Sequence, residues 1–520
     1  MESPTYPVST SVFETIRTEN FVYVDKTDYV YSLVRKSGYF FLGRPRRFGK
    51  SLLLSTIEAY FMGKRDLFRG LAIDRLQPGD WETYPVIHLD MSGKTYLKDE
   101  DLYSLLDMHL SNLEGLYGIT DHRESPDERF YMLIETVTKV TGKKVVVLID
   151  EYDSPLSDTI DSPELQEIYR EQLHGFYSVL KKAERNIRFC MLTGVTKFGK
   201  VSVFSGLNNL KDISFSNEYA GICGITEEEL HSSSYEAGVR KLARNNGWDP
   251  DEAFRQLKVC YDGYHFSKPM LDVYNPYSIN NALFDGEISD YWCRSRLPTL
   301  LSKTLMDSNF VISSLNGSMV EESTLSDLSV YRTDPVPLLY QTGYLTLKSY
   351  DAGSQLYTIG YPNREVERGI LGNILQVYMS GTSNVKGAVA LIRQDLAKGE
   401  PMEAVGKLKA FLSGIPSRLR TNVSRYENYY HTIFYCIASL IGLDTDVEYN
   451  TSEGFIDMTI KTDRFIYVIE LKINGDAEDA MRQIEEKHYA TPFATDTRRL
   501  FKIGLGFSRK TATIQTVIIE

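Results

Sequence analysis

Over the first 215 residues, short apolar runs alternate with stretches whose apolar positions recur at helical spacing. Tyr39–Leu42, Val86–Met91, Val145–Ile149, Phe189–Leu192 and Ile213–Phe215 are short enough, and apolar enough on both faces, to be buried parallel strands. Leu52, Leu53, Ile57, Tyr60 and Phe61 mark the helix after the first run, which should end near Gly63. This alternation predicts an α/β fold built on a doubly wound parallel sheet. Upstream, residues 8–38 read as polar turns and an amphipathic helix. There Phe21-Val-Tyr-Val24 alternates like a short strand, and Asp25-Lys26-Thr27 follows as a helix start.

The pattern changes after residue 215. Thr226 and Glu229 have capping-box spacing, which predicts a helix start. Two Tyr-rich stretches, Tyr261–Phe266 and Tyr274–Ser278, read chiefly as half-buried packing, with stacking of a ring on a base as the alternative. Leu345–Ser349 and Gln355–Ile359 flank Asp351-Ala-Gly353 as a β-hairpin. With the helices before it, the hairpin suggests a helical or winged-helix-like lid. Ser380–Asn384 is the linker candidate, and residues 385–413 carry two amphipathic helices. From residue 425 a unit of its own is expected: a helix over 425–441, strands near Val447, over 455–460 and over 465–472, a helix over 476–489, then strands over 501–507 and 513–519.

Composition narrows the class. At 520 residues the chain exceeds one typical core, and its 42% hydrophobic and 25% charged content is that of a soluble globular protein. No apolar stretch approaches the ~18 residues of a membrane span, and the first residues lack signal-peptide features. Five scattered cysteines argue against a disulfide framework and a Cys-type zinc site, so a cytoplasmic location is expected. A net charge of −12 does not advertise a nucleic-acid binder, although a single cleft can still be basic.

The first strand runs into Gly43-Arg-Pro-Arg-Arg-Phe-Gly-Lys-Ser51, and the helix begins at once. Strand, loop and Gly-Lys-Ser at a helix start form the context of a phosphate-binding P-loop. Lys50 would reach the β- and γ-phosphates, and Ser51 would hold Mg²⁺. The first glycine of the motif is replaced by Arg44. The remaining loop residues, Arg46, Arg47, Phe48 and Gly49, are assigned to the nucleotide, with Arg44, Arg46 and Arg47 serving the phosphates or the loop. Val145-Val-Val-Leu-Ile-Asp-Glu151 is a Walker B arrangement, in which Asp150 joins the Mg²⁺ shell and Glu151 activates the attacking water. Thr193, at the end of the next strand, is the candidate γ-phosphate sensor, with Thr196 as understudy.

In the last unit, Asp457 and Glu470 lie on successive strands and could converge on a hard cation. Glu470 and Lys472 are two apart and share a strand face, which sets an ammonium beside that cation. Such a charged pair inside an apolar strand needs a partner or a metal.

Together these segments resemble the bacterial AAA-ATPase-like proteins that carry a C-terminal PD-(D/E)XK nuclease domain. The residues that carry the resemblance are Tyr23–Thr27, Arg44–Ser51, Leu148–Asp153, Tyr274–Tyr277, Tyr361–Asn363, Glu427–Tyr430 and the Asp457, Glu470 and Lys472 set. Arg44 in the glycine position fits that family. The resemblance implies four parts: an ATPase domain over 1–215, a lid over 216–370, a helical connector over 371–424 and a restriction-endonuclease-like domain over 425–520. It also implies Glu427 as a further metal-side carboxylate and Gln483 as a fourth catalytic residue. ATP and Mg²⁺ are the expected cofactors, and DNA or RNA the expected substrate. AAA-like proteins often act as rings, so a homo-oligomer is among the expected partners. The alternative is an ATP-controlled switch or adaptor whose last domain binds nucleic acid or protein without cutting. Residues 425–520 hold 11 Lys and Arg against 15 Asp and Glu, which leans towards that alternative.

Overall fold

A computed structural model describes residues 5–508 and 513–520, apart from 121–122, 160, 198–206, 208, 295–311, 327, 329–333, 379–384, 415–422 and 452–453. At 294, 313–314, 377–378, 423–431 and 444–451 it describes the backbone alone. The chain divides into two compact units, Met1–Ser295 with Leu315–Val366, and Arg296–Ser314 with Glu367–Glu520.

In the first unit, β1 (Gly38–Gly43), β2 (Val86–Asp90), β3 (Val145–Asp150), β4 (Ile187–Gly194) and β5 (Leu210–Asp212) form an all-parallel sheet in the order β2-β3-β4-β1-β5. Every residue of β3 is buried, as a strand covered on both faces requires. The strand order determines the site. Because β4 lies between β1 and β3, its C-terminal end opens between the loop after β1 and the acidic end of β3. Ligands of open α/β sheets bind at that edge.

Two local expectations are corrected. Phe21–Val24 forms no strand; only the bridge Thr5↔Phe21 is present. The fifth strand ends at Asp212, before the Ile213–Phe215 run. Ser214 instead turns its hydroxyl to the Gly43 N–H at 2.8 Å and its carbonyl to Arg44, so this stretch braces the phosphate loop.

The rest of this unit is helical, with a small antiparallel sheet. The capping box at Thr226 is formed, closing the short helix Glu227–Leu230. Tyr261, Tyr264 and Tyr274 are fully rather than half buried. The expected hairpin is β7 (Thr346–Asp351) with β8 (Leu356–Gly360), to which β6 (Met319–Val320) adds a third strand.

The second unit has the helices Val385–Lys398 and Pro401–Ser413, and the helix Val423–Ile441 precedes its sheet. The Ser380–Asn384 linker lies outside the described residues. Strands β9 (Asp444–Thr451), β10 (Gly454–Lys461), β11 (Phe465–Ile473), β12 (Arg499–Ser508) and β13 (Thr513–Ile519) stand in the order β13-β12-β11-β10-β9. Only β11 and β12 are parallel, and the helix Ala477–Glu486 supplies the crossover that a parallel pair needs. No described helix is long and apolar enough to cross a membrane.

Candidate functional site

The loop after β1 closes on Gly49, which has a φ of 96° and caps the helix Lys50–Phe61. Glycine takes that conformation without a Cβ clash. Lys50 opens the helix, is 4% exposed, and donates its ammonium to the carbonyls of Arg44 at 3.0 Å and Pro45 at 3.2 Å. Ser51 follows on the same helix turn.

The arginines of the loop separate. Arg44 is 1% exposed, and its guanidinium donates to the carbonyls of Gly43 (2.8 Å), Ser214 (2.8 Å) and Tyr219 (3.3 Å). Its charge lies 4.1 Å from the centre of the Phe266 ring, and burial lowers its pKa. Arg44 therefore braces the loop from within. Arg46 and Arg47 stay exposed; Arg47 has a φ of 67° and lies 4.0 Å from the Tyr277 ring centre. The Phe48 ring is buried edge-on against Tyr264 and Phe266, so the Tyr-rich stretch holds the loop from behind.

The acidic side of the site hangs from β3 and β4. Asp150 is buried and accepts from the Thr193 hydroxyl and, at 3.0 Å, from the Glu151 N–H. Glu151 has a φ of 47°. Its carboxyl accepts from the Ser154 hydroxyl at 3.2 Å, and burial raises its pKa against the opposing pull of Lys50. Thr196 does not reach this position. Its N–H at 2.7 Å and its hydroxyl both bind the buried Asp153, which ties the loop after β4 to the loop after β3. Gly194 sits in that tie: a Cβ there would stand 2.5 Å from the Asp153 carboxylate and 2.7 Å from the Tyr152 ring.

Beside Gly49 opens an apolar cleft, lined by Val24, Lys26, Leu52, Cys223, Gly224 and Asn280 among others. The Lys26 ammonium is held at its edge by both oxygens of Glu229, at 2.6 and 2.7 Å. Sequence reasoning did not assign this cleft; the apolar Phe21–Val24 run before Asp25 was its only trace.

In the second unit, Glu470 is 1% exposed on β11. Its carboxylate accepts from Lys472 at 3.1 Å and from the Asp457 N–H at 3.4 Å. The Asp457 carboxylate accepts from the Leu471 N–H at 2.7 Å. Burial, then the neighbouring Asp457 charge, push Glu470 up to about 7. The Lys472 ammonium also donates to the Gln483 side-chain oxygen. Asp457, Glu470, Lys472 and Gln483 thus form one connected group. Two adjacent carboxylates, one of them disfavoured as an anion, suit a divalent cation whose charge would relieve both. Among the described residues no group of three or more His, Cys, Asp or Glu side chains converges as a metal cage. The Glu427 side chain lies outside the described residues.

Comparison with known proteins finds a family match for each of the two regions. Residues 7–204 match the family described as predicted AAA-ATPase, and residues 425–517 match the PD-(D/E)XK nuclease superfamily. Over its whole length the chain is similar to the uncharacterized protein in the vnfD 5' region of Azotobacter chroococcum mcd 1. The two are 33% identical over 99% of this chain and 98% of that protein.

Proposed function

Because the chain belongs to the family of predicted AAA-ATPases that carry a C-terminal PD-(D/E)XK nuclease-superfamily domain, we propose that it is an ATPase that controls a metal-dependent nuclease acting on DNA or RNA. The observation that carries the proposal is the pair of side-chain sets: Lys50, Ser51, Asp150, Glu151 and Thr193 at the edge of the parallel sheet of the first unit, and Asp457, Glu470, Lys472 and Gln483 around β11 of the second.

Residues 1–215 supply the nucleotide site in this reading, and the 216–370 region braces it as a lid. The triphosphate takes the helix start at Gly49, where free N–H groups and the helix dipole favour an anion. Lys50 leaves the Arg44 and Pro45 carbonyls for the phosphates, the base enters the apolar cleft, and exposed Arg46 and Arg47 face solvent-side phosphate oxygens. Ser51 and Asp150 would hold Mg²⁺, which supplies charge to the β- and γ-phosphates. Glu151, its pKa raised towards that of a proton acceptor, orients the attacking water. Thr193 keeps the Asp150 carboxylate turned to the loop.

In the second unit, Asp457 and Glu470 would hold a divalent cation, with Glu427 as a further ligand, and the cation would supply Lewis acidity at the scissile phosphate. Lys472 holds its ammonium beside Glu470, where it steadies the attacking water and offsets charge that develops on the phosphoryl oxygens. Gln483 holds Lys472 in place.

Cleavage of a DNA and RNA panel with Mg²⁺ or Mn²⁺, with and without ATP, tests the reading. Cutting that disappears in Asp457→Ala supports the nuclease, and loss in Lys50→Ala supports control by ATP. ATP turnover with no cutting under any condition would leave the binding switch or adaptor. The excess of 15 acidic over 11 basic residues in 425–520 favours that second reading.

A further inference from the structure

We propose that Tyr489 is a positioning residue of the nuclease site, its hydroxyl orienting the Gln483 amide so that the amide oxygen faces Lys472. The inference rests on the reading of Asp457, Glu470 and Lys472 as a nuclease, and its test is built to fail separately.

The argument begins with donors and acceptors. An ammonium has three donors and no acceptor, whereas a primary amide carries an acceptor on one side and donors on the other. Lys472 donates to Gln483 Oε1, so the amide NH₂ must point the opposite way. There it donates to the Tyr489 hydroxyl at 3.3 Å. If the amide turned over, two donors would face the ammonium, and Lys472 would lose the partner that holds it against Glu470.

The backbone is built to bring Tyr489 there. After the helix Ala477–Glu486, His488 adopts a φ of 49°, the His488 N–H donates to the Glu485 carbonyl at 3.1 Å, and the Tyr489 N–H donates to the Ile484 carbonyl at 3.0 Å. These are the two bonds of a Schellman motif, which reverses the chain and returns the residue after the left-handed position to the last helical turn. Tyr489 and Ile484 then pack together in one core cluster with Ile456 and Met481. Gly454 opens β10 opposite the ring: its φ is 145°, and a Cβ there would stand 3.0 Å from the Tyr489 hydroxyl. The turn, the glycine and the amide all converge on one buried phenol, 2% exposed.

The test uses the full chain and compares Tyr489→Phe in two backgrounds, the parent and Gln483→Glu. A carboxylate presents an acceptor whichever way it turns, so it needs no orienting hydroxyl. Tyr489→Phe should lower cutting about tenfold in the parent, the scale of lost orienting partners around reactive sites. In the Gln483→Glu background it should lower cutting by less than about twofold, which is the coupling that identifies positioning. The pH–rate profile should shift in Tyr489→Phe and return to that of Gln483→Glu in the double variant. Equal losses in both backgrounds, or no loss in the parent, would overturn the proposal and leave Tyr489 as packing.

If the parent cuts nothing, the nuclease reading falls while the positioning claim is still decided. Limiting acetic anhydride, with acetylation of Lys472 read by mass spectrometry, reports how firmly the ammonium is held. Acetylation that is faster in Tyr489→Phe than in the parent, and no faster in the double variant than in Gln483→Glu, supports the proposal. Unchanged acetylation, or faster acetylation in both variants, refutes it.

Discussion

The Thr193 hydroxyl donates to Asp150 Oδ1 across two neighbouring strands, so the end of β4 fixes the carboxylate at the end of β3. Neither residue can do this from its own strand. The bond exists because the sheet order sets β4 between the phosphate loop and the acidic strand. Thr193→Val keeps the shape and removes the donor, freeing Asp150 to turn. ATP turnover should fall about tenfold while the thermal midpoint moves little, since orienting partners of metal-side carboxylates act on that scale. An ATPase assay beside a melting curve checks it.

Lys50→Ala and Glu151→Gln should part company. Without Lys50 the phosphates lose their cation, and binding of a fluorescent ATP analogue should disappear. Glu151→Gln removes a proton acceptor while leaving the loop intact, so ATP should still bind, with turnover down at least ~100-fold. Equal loss of binding in both variants would contradict the separate roles.

Arg44 offers a test of loop bracing. Its guanidinium donates to three carbonyls, at Gly43, Ser214 and Tyr219. Arg44→Ala takes that donor from the Gly43 and Ser214 carbonyls, while the Tyr219 carbonyl keeps the Ile222 N–H at 3.3 Å, and unsatisfied buried polar groups each cost ~1–3 kcal/mol. Urea unfolding should show the first unit destabilised by ~2 kcal/mol or more. Arg46→Ala, at an exposed position, should leave the urea midpoint unmoved and weaken ATP binding instead.

Glu470 gives the metal-free protein a pH dependence of definite sign. Its carboxyl titrates at about 7 in the folded chain, against an ordinary value of 4.5. Between those values the folded state binds more protons than the unfolded state, so stability falls as pH rises from 4.5 through about 7. Glu470→Gln should flatten that slope. Added Mg²⁺ or Mn²⁺ should restore stability on the alkaline side in the parent and fail to do so in Asp457→Ala. Melting curves in chelator and in metal, across this pH window, decide the matter.

Much of the molecule was legible in the sequence because its signals are local. Val145–Ile149 is apolar at every position, which only burial on both faces explains, and Gly49-Lys50-Ser51 marks the helix start that follows the loop after β1. Glu470 and Lys472 share a face by strand period alone, and Thr226 with Glu229 reports its capping box by spacing. Tertiary structure decided what depends on partners distant in the chain. Arg44 reads as one of three loop arginines, yet Ser214, Tyr219 and Phe266 draw it into the core while Arg46 and Arg47 stay exposed. Ile213–Phe215 looks like a strand and serves as a brace, because the Ser214 hydroxyl accepts from the Gly43 N–H and its carbonyl from Arg44. Sequence ranks Thr193 before Thr196, but their roles are separated by which aspartate each meets, Asp150 or Asp153. A pattern along the chain records what each residue needs, whereas the order of strands and the return of a turn determine which distant group meets that need.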